Sequence, residues 1–242
     1  LYTKILKTYP KYPRKDEVYY NLGSSYYDAG SKKRGIRLFW KLIKQFPKST
    51  FTPKSAVTRS VAGQDNSWTV LVYIMADTNL EEDALVDLLE LEEVVGDKNT
   101  NIVVLIDRSS DPNHSDGEVL GLGNFSDTKL LHFGADGIGA SDESAELNMG
   151  TSETLESFIA FSLAQFPSDN TALILWDHGG GWKGMGPDES DGHDLLTLPE
   201  LRSAISGGLS EVGLNQFDLI GMDACLMATY EVAHAVDGLT RY

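Results

Sequence analysis

The chain of 242 residues predicts an α/β domain with a mostly parallel sheet flanked by helices, preceded by a small all-α helical-repeat segment. Three observations carry the prediction. Four continuous apolar, β-favouring runs each end on a polar residue, as strands buried on both faces require. Segments with apolar residues at helical spacing separate those runs, and such alternation builds parallel sheets. Charge is divided along the chain: residues 1–60 hold 14 Lys and Arg against 3 Asp and Glu, and the rest 6 against 33, which marks two unlike modules.

In the basic module, Ile5-Leu6-Lys7-Thr8-Tyr9-Pro10-Lys11 and Leu42-Ile43-Lys44-Gln45-Phe46-Pro47-Lys48 repeat one pattern 37 residues apart. Such a period belongs to helical repeats. Between them, Leu22-Gly23 followed by Tyr26 and Gly30 resembles the tetratricopeptide signature: the small Gly23 lets paired helices approach, and Leu22 and Tyr26 share one face. Helices are expected over 16–29 and 33–46, with 1–8 as the tail of a preceding repeat. Because stacked repeats bury their faces on neighbours, the array is expected to continue N-terminally. Residues 1–50 are thus a helical-repeat fragment that docks a protein partner or serves as a spacer. Residues 51–66, with Pro53 and Gly63 and little periodicity, read as a linker.

Residues 67–242 form the acidic domain. Strands are expected over 68–76, 102–106, 172–176 and 217–222. Helices are expected over 80–95, 152–165, 198–211 and 226–236, with Thr197 and Glu200 placed as a capping box for the third. The Gly- and Asp-rich stretch 110–150 holds a hairpin near 118–133. Each parallel strand ends at the same sheet edge, where open α/β sheets bind ligands. Asp77, Asp107, His178, Asp223 and Cys225 all fall there.

Composition removes several functions. The acidic balance of the domain repels phosphates, so nucleic acid is not expected as a partner. No run approaches the roughly 20 apolar residues of a membrane span. A single cysteine forbids an internal disulfide. The glycine run after His178 occurs in esterases, but no Gly-x-Ser-x-Gly pentad accompanies it. Zinc is not expected from so few soft ligands. No metal site is assigned and no cofactor is required. Calcium is the one cation that two loops would suit. Asp107, Ser109, Asp111 and Glu118 have calcium-loop spacing, although Pro112 replaces the turn glycine, and Asp188 to Asp194 is a second acidic run. A solvated acidic loop is the simpler account of both.

Two motifs carry chemistry. In Asp177-His178-Gly179-Gly180-Gly181-Trp182 a histidine follows a buried strand, and the Gly179 N–H could serve a developing oxyanion. In Met222-Asp223-Ala224-Cys225-Leu226-Met227 the cysteine sits where a strand is expected to hand over to a helix, whose N-terminus would favour the thiolate. These two motifs in this order, with Trp68 to Met75 and Asp77-x-x-Leu80, resemble the clostripain family of cysteine peptidases, in the caspase-like clan. The resemblance covers about residues 66–240. It implies a caspase-like sheet and a His178–Cys225 dyad, with Gly179 and Cys225 N–H groups as the oxyanion hole. It also implies Asp223 as a binder of the basic side chain before the cut, hence cleavage after Arg or Lys. Family domains continue well past their cysteine, so a C-terminal part is expected to be missing here. The resemblance further implies a bacterial secreted or cell-envelope setting. The alternative is a non-catalytic scaffold that docks partners through its repeats.

Overall fold

A computed structural model describes residues 2–8, 12–28, 38, 66–93, 95–111, 113–114, 117–141 and 146–242. Helices α1 (Tyr2–Thr8) and α2 (Lys15–Asp28) stand where the repeat pattern put them. The helix expected over 33–46 and the linker over 51–66 lie, except for Leu38 and Asn66, outside the described residues. Tyr19 and Tyr20 of α2 are buried in the main core, and the Tyr20 hydroxyl accepts a 3.2 Å bond from Gln165 Nε2.

The acidic domain is built on strands β1 (Trp68–Ala76), β2 (Thr100–Arg108), β3 (Lys129–Gly134), β4 (Gly137–Ala140), β5 (Asn170–Trp176) and β8 (Leu219–Asp223), in the order β4-β3-β2-β1-β5-β8. β6 (Met185–Asp188) and β7 (Asp194–Leu196) form a separate antiparallel pair. β1 pairs in parallel with β2 and β5, and β5 with β8, while β3 and β4 add antiparallel strands at one edge. The hairpin is thus 129–140, not 118–133: Ala135 and Asp136 form its turn, and Gly137, at φ +112°, opens β4 opposite Gly134. Beyond β8, residues 239–242 begin to pair alongside it, with Phe217 N–H donating to Leu239 O and Arg241 N–H to Phe217 O.

Helices α3 (Glu81–Glu92), α4 (Ser152–Gln165), α5 (Leu198–Glu211) and α6 (Tyr230–Val236) cover the sheet. Strand alternation sends Leu71, Tyr73, Val103, Leu105, Leu173 and Leu175 into one core with α4 and α5. It sends Val72, Ile74, Val104, Ile106 and Trp176 to the other face, where Ala84, Leu85 and Leu88 of α3 pack. At the start of α5 the Glu200 carboxylate accepts the Thr197 N–H at 3.1 Å, as the capping pattern required. The chain passes from β1 to β2 on one side and from β5 to β8 on the other, so the switch point lies between β1 and β5. His178 follows β5 there, at the carboxyl edge.

Candidate active site

The β5–β8 ladder runs one residue past β5, with Asp177 N–H donating to Asp223 O at 3.3 Å. The chain then turns into a loop fixed at its base by Gly186 N–H to His178 O (3.0 Å) and Gly180 N–H to Gly184 O (2.8 Å). His178 is half-buried, and its Nε2 lies 3.0 Å from Asn79 Oδ1, on the loop leaving β1. With the Asn79 carbonyl accepting, Nε2 carries the proton and a neutral imidazole keeps Nδ1 as its basic atom. Sequence reasoning missed Asn79, although it lies only three residues beyond the end of β1 at the functional edge.

Asp223 is the exposed last residue of β8, and Cys225 is exposed in the turn that follows. Leu226, also exposed, is held at φ +61°, a conformation a branched side chain rarely adopts. The helix expected over 226–236 starts only at Tyr230, where the Thr229 side chain accepts from Val232 N–H. A helix N-terminus therefore does not act on Cys225. The polar Thr229 caps the helix late, and the positive-φ residue breaks any earlier helical turn.

The two motifs meet through their backbones. A Cβ at Gly179 would fall 1.8 Å from the Cys225 carbonyl oxygen, so only glycine permits this approach. Among the described residues neither the Gly179 N–H nor the Cys225 N–H has an acceptor. Gly181 lies less close to the second loop, a Cβ there standing 3.4 Å from Leu226 O, and Trp182 and Leu226 are both exposed on this rim. His178, Gly179, Asp223 and Cys225 are thus carried by adjacent strands, with Asp223 in register with Trp176.

Behind His178, Asp177 is buried with Oδ1 accepting from the Thr78 hydroxyl at 3.2 Å and Oδ2 without a partner among the described residues. Burial, against the His178 N–H and Thr78 bonds that favour the anion, pushes its pKa from 3.8 to about 8. A carboxyl raised in the folded state costs nothing while both states are protonated. It penalises folding increasingly as pH rises from about 4 to about 8. Asp177→Asn removes that penalty. Melting curves of the two proteins should coincide near pH 4 and separate near pH 8, the variant higher by about 5 °C. Parallel curves would show that Asp177 ionises freely.

The expected calcium-loop residues do not gather. The Ser109 N–H donates to Glu81 Oε2, Asp111 accepts from Asn113, and Glu118 is exposed. Glu81 is held instead by the buried Arg108, whose Nε and Nη2 donate to Glu81 Oε1 at 2.9 and 2.6 Å. Asp107 and Asp188, one from each acidic loop, join Asp77 and Glu146 in a cluster that brings four carboxylate oxygens within 4.8 Å of one another. No sequence motif links these four residues.

Residues 72–242 match the clostripain family of peptidases. The chain belongs to the clostripain family. It is 32% identical to clostripain of Hathewaya histolytica over 208 residues, 75% of this chain and 38% of that protein. Two solved family structures share the fold. The secreted C11 cysteine protease of Bacteroides thetaiotaomicron, in complex with an irreversible peptide inhibitor, superposes with a TM-score of 0.57 at 25% identity, covering 72% of this chain and 47% of that one. An inactive zymogen C11 protease of Parabacteroides distasonis gives 0.53 at 26% identity, covering 74% and 48%. The chain therefore spans less than half the length of these clostripain-family relatives. Membership accounts for the caspase-like α/β sheet and makes the domain one of a cysteine peptidase family. Among the described residues no helix is long and apolar enough to cross a membrane.

Proposed function

We propose that this protein is a cysteine endopeptidase in which His178 and Cys225 form the catalytic dyad. The observation that carries the reading is the close backbone approach of Gly179 to Cys225, with both N–H groups left without acceptors. In this reading the Cys225 thiolate attacks the scissile carbonyl carbon, and the oxyanion that forms accepts the two N–H groups. His178 takes the thiol proton and returns it to the leaving amine, so that a thioester remains. It then takes a proton from the water that hydrolyses the thioester. Asn79 holds the imidazole so that Nδ1 does this work.

Asp223, exposed at the end of β8, binds the basic side chain before the cut, which makes the enzyme selective for Arg and also able to accept Lys. The excess of 33 acidic over 6 basic residues beyond residue 60 favours such cationic substrates in the approach to the cleft. The domain organisation goes with this reading: residues 1–50 are a tetratricopeptide-like docking segment, 51–66 a linker and 67–242 the peptidase part. A secreted or cell-envelope location in a bacterium is supported by the secreted relative from Bacteroides thetaiotaomicron.

The test uses full-length protein and fluorogenic peptides ending in Arg, Lys, Asp or Leu. Cleavage is expected after Arg and, more slowly, after Lys. Asp223→Ala should raise KM for the Arg peptide about 10- to 100-fold, the worth of one charge-assisted hydrogen bond, with a smaller change in kcat. An unchanged Arg preference would remove Asp223 from the specificity site. Absence of cleavage, with Cys225 refractory to an Arg-directed covalent probe, would favour the scaffold reading.

A further inference from the structure

We propose that Trp182, Leu226 and Tyr230 form a substrate subsite beside Cys225 that takes a large apolar side chain adjoining the basic residue at the cut. The inference rests on the dyad proposed above and adds a second determinant to its specificity.

Seven large apolar side chains are exposed among the described residues, and three of them stand on this rim: Trp182 at 69%, Leu226 at 71% and Tyr230 at 79%. The short helical turn Gly181–Lys183 packs against α6. A Cβ on Gly181 would stand 3.4 Å from Leu226 O and 3.9 Å from Thr229 Cγ2. Trp182 follows Gly181 and Tyr230 follows Thr229, so the three side chains spring from one place on the surface. Apolar groups gathered in this way mark a surface that meets a ligand.

Packing does not account for their position. Val232 and Ala235 bury the inner face of α6 in the main core, and Met227 is buried beside Leu226. Tyr230 stands on the outer face, its ring parallel to that of His234 with centroids 6.0 Å apart. Lys183 Nζ lies over the Trp182 ring, 5.9 Å from its centroid, and orients the indole. Leu226 supplies an independent sign. Its φ of +61° is one that a branched side chain rarely adopts, and here it turns the leucine outward, where no burial offsets the strain. Strained backbone of this kind gathers at functional sites.

The rim is continuous with the chemistry. Leu226 directly follows Cys225, and Trp182 lies in the loop that His178 and Gly179 begin. Consecutive Cα atoms stand about 3.8 Å apart in enzyme and substrate alike, so a residue adjoining the one attacked passes the side chain adjoining Cys225. Tyr230 also walls an open, largely apolar hollow of about 520 Å³ between α5 and α6, with Leu198, Pro199 and Ala235. That volume admits an aliphatic or aromatic side chain.

The test is made on full-length protein with internally quenched peptides that carry Leu, Phe or Ser on either side of a single Arg. Leu or Phe at one of the two positions should raise kcat/KM at least about 10-fold over Ser, the discrimination an apolar pocket gives. Trp182→Ser and Leu226→Asn should each cut that ratio to about twofold, and Trp182→Phe should keep it. Asn tolerates positive φ, so Leu226→Asn removes the apolar surface and keeps the backbone. Equal cleavage of the Leu and Ser peptides, or a ratio unchanged in Trp182→Ser and Leu226→Asn, would overturn the subsite. Peptide binding to Cys225→Ala, read as the fluorescence that Trp182→Phe removes, separates the subsite from the dyad. A shift with the Leu peptide and none with the Ser peptide, in a protein whose wild type cleaves neither, would retain the subsite and count against the dyad. No shift with either would overturn the subsite. Trp182 shielded from acrylamide before peptide is added, or dimerisation that Trp182→Ser abolishes, would show the rim covered by the protein itself and would also overturn it.

Discussion

Under the proposed dyad, Cys225→Ala should abolish turnover of an Arg peptide, with kcat/KM falling at least about 10⁴-fold, because removing the nucleophile would leave only binding and the oxyanion donors to act. The exposed Cys225 side chain makes no hydrogen bond with the described residues, so its loss leaves no buried group unsatisfied. The variant should melt within a degree or two of wild type, and this separates chemistry from folding. Titration of the wild-type protein with an Arg-directed covalent probe supplies the matching measurement: one equivalent should attach at Cys225 and none to the variant. Residual cleavage near the wild-type rate would move the nucleophile elsewhere and dismantle the proposed dyad.

Gly179→Ala is the largest effect expected from a single added methyl group. Its Cβ would stand 1.8 Å from the Cys225 carbonyl oxygen, and Cys225 backbone cannot yield as a flexible side chain would. The two loops must separate by more than 1 Å, carrying Gly179 away from the Cys225 backbone. A displacement of that size costs about 10²-fold in rate or more when it falls on the reacting groups. Overpacking adds a stability loss of about 1–3 kcal/mol. Kinetics on the Arg peptide beside a melting curve would distinguish the two effects, since a purely structural change would lower stability while sparing kcat. Wild-type kinetics in a folded Gly179→Ala protein would mean that the close approach is not the working geometry.

The candidate site was partly legible in the sequence. His178, Gly179, Asp223 and Cys225 could be named because each follows a recognisable apolar run, and a strand's end places its next residues at a known edge. Asn79 could not be named, because its bond to His178 joins residues 99 positions apart through the β1–β5 register. The conformation at Cys225 was also hidden: periodicity predicted a helix from 226, whereas Leu226 at positive φ and the Thr229 cap delay it to Tyr230.

Local pattern alone was enough for β1, α4 and α5, whose limits agree with their apolar periodicity, because burial of one face imposes a period of 2 or 3.6 on adjacent residues. It failed for the hairpin at 129–140, where a Gly- and Asp-rich stretch carries little such period and pairing with β2 selects the strand. The carboxylate cluster lies further from sequence reach. Asp77, Asp107, Glu146 and Asp188 belong to four separate segments, and only the stacking of β1 beside β2 and the return of β6 bring them together. Periodicity reports what each segment buries. Which distant charges are buried together depends on strand order and register, and those arise from contacts between segments.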